Sequence, residues 1–292
     1  MTIAVLGLGG VGGYIGAKLC TLKDEHEIIF LSRGEHLKAI QDNGLRIIDV
    51  DKEETYHPTY ALQSTNKHLD IVFLCTKTYH SKQALLELKD VISKDTLIIP
   101  VANGVNSKEE LQKLTPAKVT DACVYIVSHK HSAGIIKKTT NVFALRLSDD
   151  VQDILEPLLT NAGLRTKFSA DIRQELWKKF LFISAMGSLT SYYEIGMGAI
   201  YKEHEQELKK LLHEIYSISQ ALGVNLEEKE LAKALETSSK LPENAPTSMW
   251  LDMKAKGLNE LETLSGYIVQ QGQKHKIQTP LMQKIYDKLK KS

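Results

Sequence analysis

Ile3-Ala4-Val5-Leu6-Gly7-Leu8-Gly9-Gly10-Val11-Gly12 is the stretch that decides which fold this sequence predicts. Its first four residues form an apolar run typical of a buried parallel strand, and the next six match the pattern G-x-G-x-x-G. A helical pattern begins directly after them, with apolar residues at Tyr14, Ile15 and Leu19. A strand, a glycine turn and a helix in this order predict a turn that binds the phosphates of a dinucleotide.

The three glycines of the pattern have different expected roles. Gly7 allows the tight turn, Gly9 lets a pyrophosphate approach the backbone, and Gly12 lets the helix pack close to the strand. The start of the helix adds free N–H groups and a partial positive charge, which both attract phosphate. The alternative is a glycine-rich turn in an α/β protein that binds no nucleotide. We assign to cofactor binding the residues Gly7, Leu8, Gly9, Gly10, Val11 and Gly12.

The overall composition is that of an ordinary globular protein. The chain has 292 residues, 42% of them hydrophobic and 25% charged, and this length allows two domains. Its formal net charge of +1 gives no electrostatic case for binding nucleic acid or an anionic membrane, and no apolar stretch approaches a membrane span. The three cysteines are widely spaced and predict neither disulfides nor a zinc site, which fits a cytoplasmic protein.

The chain divides into two regions of different character. Residues 1–168 alternate short apolar strands with helical patterns, which predicts a Rossmann-like, doubly wound parallel sheet with helices on both faces. Within this region, residues 118–147 are rich in β-forming residues and are expected to extend or cap the sheet. Residues 169–292 show long helical patterns, one of them over 247–274. The predicted fold class is therefore α/β, a nucleotide-binding domain followed by an all-helical domain for substrate binding and dimerisation.

The residues after the second predicted strand indicate which dinucleotide binds. In NAD-binding folds an acidic residue ends this strand, about 20 residues after the glycines, and bonds the ribose 2′-OH. Ser32 and Arg33 occupy that position here, without a carboxylate. A guanidinium can bind two oxygens of a 2′-phosphate, so this pair predicts NADP(H). The alternative is a solvated arginine in a surface loop.

A series of short motifs runs along nearly the whole chain. They are the Gly7–Gly12 turn, Ser32-Arg33, Cys75-Thr76-Lys77, Ala102-Asn103-Gly104-Val105, Leu176-Trp177-Lys178-Lys179, Thr247-Ser248-Met249 with Asp252, Asn259-Glu260-Leu261-Glu262 and Thr279-Pro280. Their order and spacing together resemble the ketopantoate reductases (2-dehydropantoate 2-reductases). The resemblance implies an NADPH-dependent oxidoreductase that reduces 2-dehydropantoate to pantoate in pantothenate biosynthesis.

The resemblance implies cofactor contacts beyond the glycine turn. By position, Arg33 and Lys77 match residues that hold the 2′-phosphate end of NADPH, with Ser32 beside them. Asn103 matches an asparagine next to the nicotinamide, where it also borders the substrate. On the local pattern alone, Lys77 is equally consistent with a strand-end cap and Asn103 with a plain turn.

The resemblance also implies the catalytic residues. Lys179 matches the catalytic lysine, Glu260 the acidic residue next to the substrate, and Ser248 a serine that hydrogen-bonds the substrate. The set suits hydride transfer to a ketone, because an ammonium stabilises the negative charge on the oxygen and can supply a proton. On the local pattern alone, Lys179 and Glu260 would be solvated residues on helix faces, since such side chains are mostly exposed.

The chain departs from the family pattern one and two helical turns after Lys179. The family usually has asparagines there, whereas this chain has Ile183 and Gly187, which we expect to border the substrate in a less polar and wider pocket. Ketopantoate is still the leading substrate. The alternatives are a reductase of another, more apolar 2-oxo acid, and an NADPH-binding sensor without catalytic activity.

Two remaining patterns are explained by ordinary structural roles. The apolar stripe of Leu211, Leu212 and Ile215 is more typical of a core than of a surface, although a homodimer contact would look the same. His129 and His131 form an isolated His-x-His without further ligands nearby, so solvated strand residues explain them better than a metal site. No metal is therefore expected.

Overall fold

The computed structural model describes residues 1–291, which form two compact units. The first comprises residues 1–102 and 106–172, and the second comprises residues 103–105 and the chain from Arg173 onward. No helix within residues 1–291 is long and apolar enough to cross a membrane.

The first unit contains eleven strands, five α-helices and two short 3₁₀ helices among the described residues. The strands are β1 (Thr2–Leu6), β2 (Glu27–Leu31), β3 (Leu45–Ile48), β4 (Glu53–Tyr56), β5 (Tyr60–Leu62), β6 (Ile71–Leu74), β7 (Leu97–Pro100), β8 (Lys118–Val119), β9 (Ala122–Ser132), β10 (Ile135–Ser148) and β11 (Thr166–Ser169). The helices are α1 (Gly10–Leu19), α2 (Gly34–Asn43), α3 (Thr78–Leu86), α4 (Ser107–Gln112) and α5 (Gln152–Asn161).

Six of these strands form a parallel sheet in the order β5-β2-β1-β6-β7-β8. The chain builds outward from β1 on one side and then returns to add β6 on the other. The strand order therefore reverses beside β1, and ligands of doubly wound sheets bind at such a reversal, outside the carboxyl ends of the strands. The glycine turn follows β1 at this end. The structure thus confirms the predicted Rossmann-like sheet.

The prediction that the β-rich residues 118–147 extend or cap that sheet is wrong for most of this segment. Only β8 joins it, whereas β9 and β10 belong to a second sheet with the order β11-β10-β3-β4, in which β9 pairs with β10. The long antiparallel hairpin of β9 and β10 brings β3, β4 and β11 together around β10. The prediction failed because β3 and β4 are short, and β4 is largely exposed, so neither carries a strong apolar pattern.

Helix α1 packs against both sheets through glycines. A Cβ atom on Gly12 would lie 2.0 Å from the carbonyl oxygen of Gly7, at the end of the parallel sheet. A Cβ on Gly10 would lie 2.2 Å from the carbonyl oxygen of Ser128 in β9, and one on Gly13 would lie 2.5 Å from Ile136 in β10. The additional glycines of the turn are therefore required by the second sheet.

The second unit is helical, in agreement with the predicted fold class. Its helices are α6 (Ile172–Tyr193), α7 (Met197–Ala221), α8 (Lys229–Ser239), α9 (Ser248–Lys254), α10 (Tyr267–His275) and α11 (Pro280–Leu289), with a π-helical turn at Glu262–Gly266. The apolar stripe of α7, including Leu211, Leu212 and Ile215, is buried in the core of this unit. The stripe is therefore not available as a dimer contact.

The single helical pattern over residues 247–274 is wrong as a prediction of one helix. Helix α9 ends at Lys254, and the chain is irregular until the π-helical turn that precedes α10. Lys256 has a positive φ of 53°, and Gly257 follows it. A left-handed residue followed by glycine ends a helix, and this break brings Glu260 out of a continuous helical register.

Candidate active site

The glycine turn of the first unit has the shape that a dinucleotide phosphate requires. Gly7 has a φ of +94°, which favours glycine, and the turn leads into α1. A Cβ on Gly9 would meet no atom within 4 Å, so this side of the turn is open. Gly9 is also the N-cap of α1 and makes no side-chain capping bond. The backbone N–H groups at the start of α1 therefore suit a pyrophosphate.

Arg33 lies at the start of α2, where its side chain is exposed and forms an ion pair with Glu87. The hydrogen bond from Arg33 lowers the pKa of the Glu87 carboxyl group. Ser32 is half-buried, and its backbone N–H donates to the carbonyl of Leu62 at 3.0 Å. The sequence pattern gave no indication that a carboxylate contacts Arg33, because Glu87 is 54 residues away along the chain.

Helix α3 carries a second predicted cofactor residue at one end and the ion-pair partner of Arg33 at the other. Lys77 is half-buried and occupies the N-cap position of α3, three residues after the end of β6. Glu87 is the C-cap residue of the same helix. One helix therefore carries both the lysine predicted to bind the 2′-phosphate and the carboxylate that pairs with Arg33.

Three predicted residues meet in the second unit through the side chain of Asn103. The amide oxygen of Asn103 accepts a hydrogen bond from Lys179 Nζ at 2.9 Å. The amide nitrogen of Asn103 donates to Glu260 Oε2 at 3.0 Å. An asparagine is suited to this bridge, because its amide carries both an acceptor for the ammonium and a donor for the carboxylate. Lys179, Asn103 and Glu260 thus form one hydrogen-bonded cluster.

Each member of this cluster is positioned by a different local feature. Asn103 follows β7 and precedes Gly104, whose φ of +107° reverses the chain. Lys179 lies in α6, and Glu260 comes just before the π-helical turn. Such turns are found frequently at functional sites. Glu260 is only 1% exposed, so it is not on a solvated helix face, and its buried carboxylate requires hydrogen-bonding partners.

Aromatic packing fixes α6 against α10 next to Lys179. The ring of Trp177 lies 5.4 Å from that of Phe180 and 6.3 Å from that of Tyr267, measured between ring centroids. The rings of Phe180 and Tyr267 are 5.9 Å apart in an edge-to-face arrangement. Trp177 and Phe180 flank Lys179 in the sequence and are both buried, so the helix cannot rotate Lys179 away without disrupting this cluster.

Ile183 and Gly187 continue the face of α6 beyond Lys179. Ile183 is half-buried and Gly187 is buried. A Cβ on Gly187 would lie 3.3 Å from Leu264 Cδ1 and 3.8 Å from two atoms of Met249. The surroundings of Gly187 are therefore apolar, but the expected widening of the pocket is not seen at this position, because Leu264 and Met249 lie within contact distance.

Three hydroxyl groups on α6 form hydrogen bonds within the protein. Ser184 donates to the carbonyl of Leu264 at 3.1 Å, and Ser188 shares a hydrogen bond of 2.7 Å with Ser265. Thr190 contacts Thr247, the N-cap residue of α9, at 2.7 Å between the two hydroxyl oxygens. These bonds hold α6 against the π-helical turn and the start of α9.

Ser248 is the first residue of α9 and is exposed. Its neighbour Thr247 accepts a hydrogen bond from the backbone N–H of Trp250 at 3.3 Å and so caps the helix. The side chain of Ser248 is therefore not required for the cap. Its predicted contact with the substrate stays a prediction.

Comparison with known proteins adds a family assignment to this geometry. The family model "Ketopantoate reductase PanE/ApbA" matches residues 3–147, and its C-terminal counterpart matches residues 171–292. A 2-dehydropantoate 2-reductase of Streptococcus pyogenes serotype M18 is 25% identical over 308 residues, covering 98% of this chain and 95% of that protein. The crystal structure of 2-dehydropantoate 2-reductase from Porphyromonas gingivalis W83 is 29% identical, covers 99% of both chains and has a TM-score of 0.87. A dimeric ketopantoate reductase from Staphylococcus aureus, 21% identical, covers 100% of this chain and 98% of that chain with a TM-score of 0.84.

The apolar surroundings of Gly187 lead to a prediction about stability. Gly187→Asn should lower the free energy of unfolding by about 1–3 kcal/mol relative to Gly187→Ala, because the amide would be buried against Leu264 and Met249. Gly187→Ala is the matched control. It should be neutral or stabilising by up to about 1 kcal/mol, since alanine favours the helix and the far end of Leu264 can yield.

Urea unfolding of both variants measures this difference. Equal stability of the two variants would show that the asparagine amide reaches water or polar partners, and that position 187 opens onto a polar space.

Proposed function

Since this chain belongs to the ketopantoate reductase family, whose members are NADP-dependent oxidoreductases acting on CH–OH groups, we propose that it reduces the keto group of a 2-oxo acid with NADPH. The cluster of Lys179, Asn103 and Glu260 is the observation that carries this proposal. It combines an ammonium, which can stabilise the charge on a keto oxygen and supply a proton, with an amide and a buried carboxylate that hold it in place.

Lys179 is the proposed catalytic acid. NADPH, when bound, supplies the hydride for the keto carbon, and the protein supplies placement and charge. The ammonium of Lys179 stabilises the negative charge on the keto oxygen and donates the proton that completes the alcohol. The same ammonium attracts the carboxylate of a 2-oxo acid, so binding and catalysis use one positive charge.

Asn103 and Glu260 hold that ammonium in place. The hydrogen bond to Asn103 directs Lys179 Nζ, and Glu260 in turn orients the Asn103 amide. Because Glu260 accepts from the amide nitrogen, Asn103 presents its oxygen to the ammonium of Lys179. In this proposal Ser248 adds a hydrogen bond to the substrate, and Ile183 and Gly187 border its side chain.

We propose that the first domain, residues 1–168, binds NADPH and that residues 169–292 bind the substrate. The open side of Gly9 and the N–H groups at the start of α1 receive the pyrophosphate. Arg33 and Lys77, with Ser32 beside them, receive the 2′-phosphate. A homodimer and a cytoplasmic location stay predictions.

The proposed substrate is 2-dehydropantoate, which would be reduced to pantoate in pantothenate biosynthesis. The support is the match of the family models to both parts of the chain and the full-length 2-dehydropantoate 2-reductase relatives. A second candidate is a 2-oxo acid with a bulkier apolar side chain. It is favoured by the apolar contacts around Gly187, where the family usually has an asparagine.

Removing the ammonium of Lys179 tests the proposed reaction. Lys179→Met keeps the length and apolar stem of the side chain, and we expect kcat to fall by about 10²–10³-fold, because an electrostatic stabiliser of the transition state is lost. NADPH affinity should change by no more than a few-fold, since the predicted phosphate contacts do not involve Lys179 and only Asn103, predicted to lie beside the nicotinamide, bonds to it.

Lys178→Met is the matched control for this experiment. Lys178 is the adjacent lysine and pairs with Glu175 at 2.8 Å, so its loss should leave kcat nearly unchanged. Steady-state rates and a fluorescence titration with NADPH provide the two readouts. Tight NADPH binding without reduction of any 2-oxo acid by the wild-type protein would favour the sensor instead.

The Arg33–Glu87 pair predicts how the protein distinguishes NADPH from NADH. Arg33→Ala should weaken NADPH binding by about 10–100-fold, because charge-assisted hydrogen bonds to the 2′-phosphate are lost. Glu87→Gln should strengthen NADPH binding a few-fold, since it removes a negative charge and releases the guanidinium.

The binding of NADH is the internal control for both variants, because NADH lacks the 2′-phosphate. Its dissociation constant, measured by fluorescence titration, should be nearly the same in wild type, Arg33→Ala and Glu87→Gln. An equal loss of NADH and NADPH affinity in Arg33→Ala would contradict the assigned role of Arg33.

A panel of substrates distinguishes the two candidates. We expect kcat/KM in NADPH oxidation to be highest for 2-dehydropantoate, and at least about 10-fold lower for branched and aromatic 2-oxo acids, the range set by contacts with one or more methylene groups. A higher kcat/KM for a bulkier acid would transfer the assignment to the second candidate and leave the reaction type intact.

A further inference from the structure

His36 is buried in the first unit and connects the glycine turn to the hairpin of β9 and β10. Its side chain lies in the first half of α2 and is 8% exposed. Nε2 lies 2.7 Å from the carbonyl oxygen of Leu8, and the backbone N–H of Gly134 donates to Nδ1 at 2.9 Å. An N–H group can only donate, so Nδ1 carries the lone pair and Nε2–H donates to Leu8. The bond from Gly134 requires the neutral ring, whereas Nε2–H can donate to Leu8 whether or not Nδ1 is protonated.

The two partners of His36 lie in separate segments. Leu8 is inside the Gly7–Gly12 turn, and Gly134 lies between β9 and β10 with a φ of +72°. A Cβ on Gly134 would be 3.0 Å from the Cβ of Ala39, so α2 also packs closely on the hairpin. The imidazole therefore joins three segments: the glycine turn, α2 and the hairpin.

We propose that His36 is a positioning residue for the dinucleotide. It holds the Leu8 carbonyl and thereby fixes the glycine turn, whose N–H groups face the pyrophosphate. It is also three residues after Arg33, so it fixes the start of α2, and with it the 2′-phosphate contact, relative to that turn. This inference rests on the proposed function, because it assumes that the turn binds NADPH.

The same geometry predicts a dependence on pH. A proton added to Nδ1 would make this atom a donor facing the N–H donor of Gly134. The hydrogen bond between them would then be lost. Burial lowers the pKa of His36, and the positive charge of Lys130 on β9 also lowers it, whereas the hydrogen bond with Leu8 raises it. Glu35 and Lys38, on α2 itself, are exposed. The ring is thus neutral at pH 7, and cofactor affinity falls only in acid.

Two substitutions of His36 separate the effect of its hydrogen bonds from the effect of its protonation. Glutamine carries one donor and one acceptor on neighbouring atoms and does not titrate, so His36→Gln should bind NADP⁺ within about threefold of wild type at pH 8. His36→Leu leaves the Leu8 carbonyl and the Gly134 N–H without the ring. It should bind NADP⁺ about tenfold more weakly, with kcat at saturating NADPH within about threefold of wild type. His131→Gln, at an exposed histidine of the hairpin, is the control.

The decisive measurement is calorimetric titration with NADP⁺ between pH 5 and pH 8, made for wild type and His36→Gln. The 2′-phosphate itself titrates near pH 6, like other phosphate monoesters, but its effect cancels in the ratio of the two dissociation constants. We expect the dissociation constant of wild type, divided by that of His36→Gln, to rise as the pH falls below the ordinary pKa range of histidine. His131→Gln should follow wild type throughout.

Parallel pH profiles for wild type and His36→Gln, or wild-type affinity in folded His36→Leu, would overturn the positioning role. Because His36→Gln keeps both hydrogen bonds, the test does not depend on whether His36→Leu folds. Failure of the wild-type protein to bind NADP⁺ at pH 8 would instead refute the proposed function, and this inference with it.

Discussion

The close approach of α1 to the backbone on two sides is the constraint on which the first unit depends. Gly12 is held against the carbonyl of Gly7, and Gly10 against the backbone of Ser128 in β9, at distances that no Cβ atom could tolerate. Interiors are close-packed, so a methyl group at either place would move a helix relative to a sheet. The conformation of the turn is therefore set by both sheets together, and His36 adds a third connection through Leu8.

The second unit depends on a different constraint, because it contains a buried carboxylate. Glu260 is almost fully buried, and a buried charge is costly unless it is paired and hydrogen-bonded. The chain meets this requirement by bringing in Asn103 from a position 157 residues earlier. Asn103 also bonds Lys179, so the buried charge and the ammonium are linked through one amide. The hydroxyl groups of Ser184 and Ser188 hold the surrounding helices to the same region.

The parts that could be predicted from the sequence are those in which the signal is local. The strand, glycine turn and helix at residues 2–19 lie next to one another, so the pattern alone identifies them. The strands β3 and β4 could not be found in this way, because β3 pairs with residues of β10 about 90 positions away and β4 joins the sheet only through β3. The break after Lys254 was also missed, since the apolar periodicity continues across Gly257 and hides the irregular segment.

The same distinction applies to the candidate site. The resemblance selected Lys179, Asn103 and Glu260 as separate residues, but nothing in the local sequence shows that one amide bridges the other two. The burial of His36 and the pairing of Arg33 with Glu87 were likewise invisible, because each contact joins segments that are far apart in the chain. Sequence patterns therefore identified chemical groups, whereas their partners depend on tertiary packing.

The distribution of polar groups around α6 bears on how selective the site can be. The charged and amide groups are concentrated at Lys179, Asn103 and Glu260, and in the proposed function they contact the keto and carboxylate groups that all 2-oxo acids share. One to two turns further, the surroundings are apolar, with Ile183 half-buried and Gly187 packed against Met249 and Leu264. An apolar wall distinguishes side chains by only about 1–3 kcal/mol per methylene, whereas a site built to bond a hydroxyl group rejects analogues that lack it by about 10⁴–10⁵-fold. The chemistry of the reaction is therefore specified more strongly by this chain than the identity of the substrate's side chain.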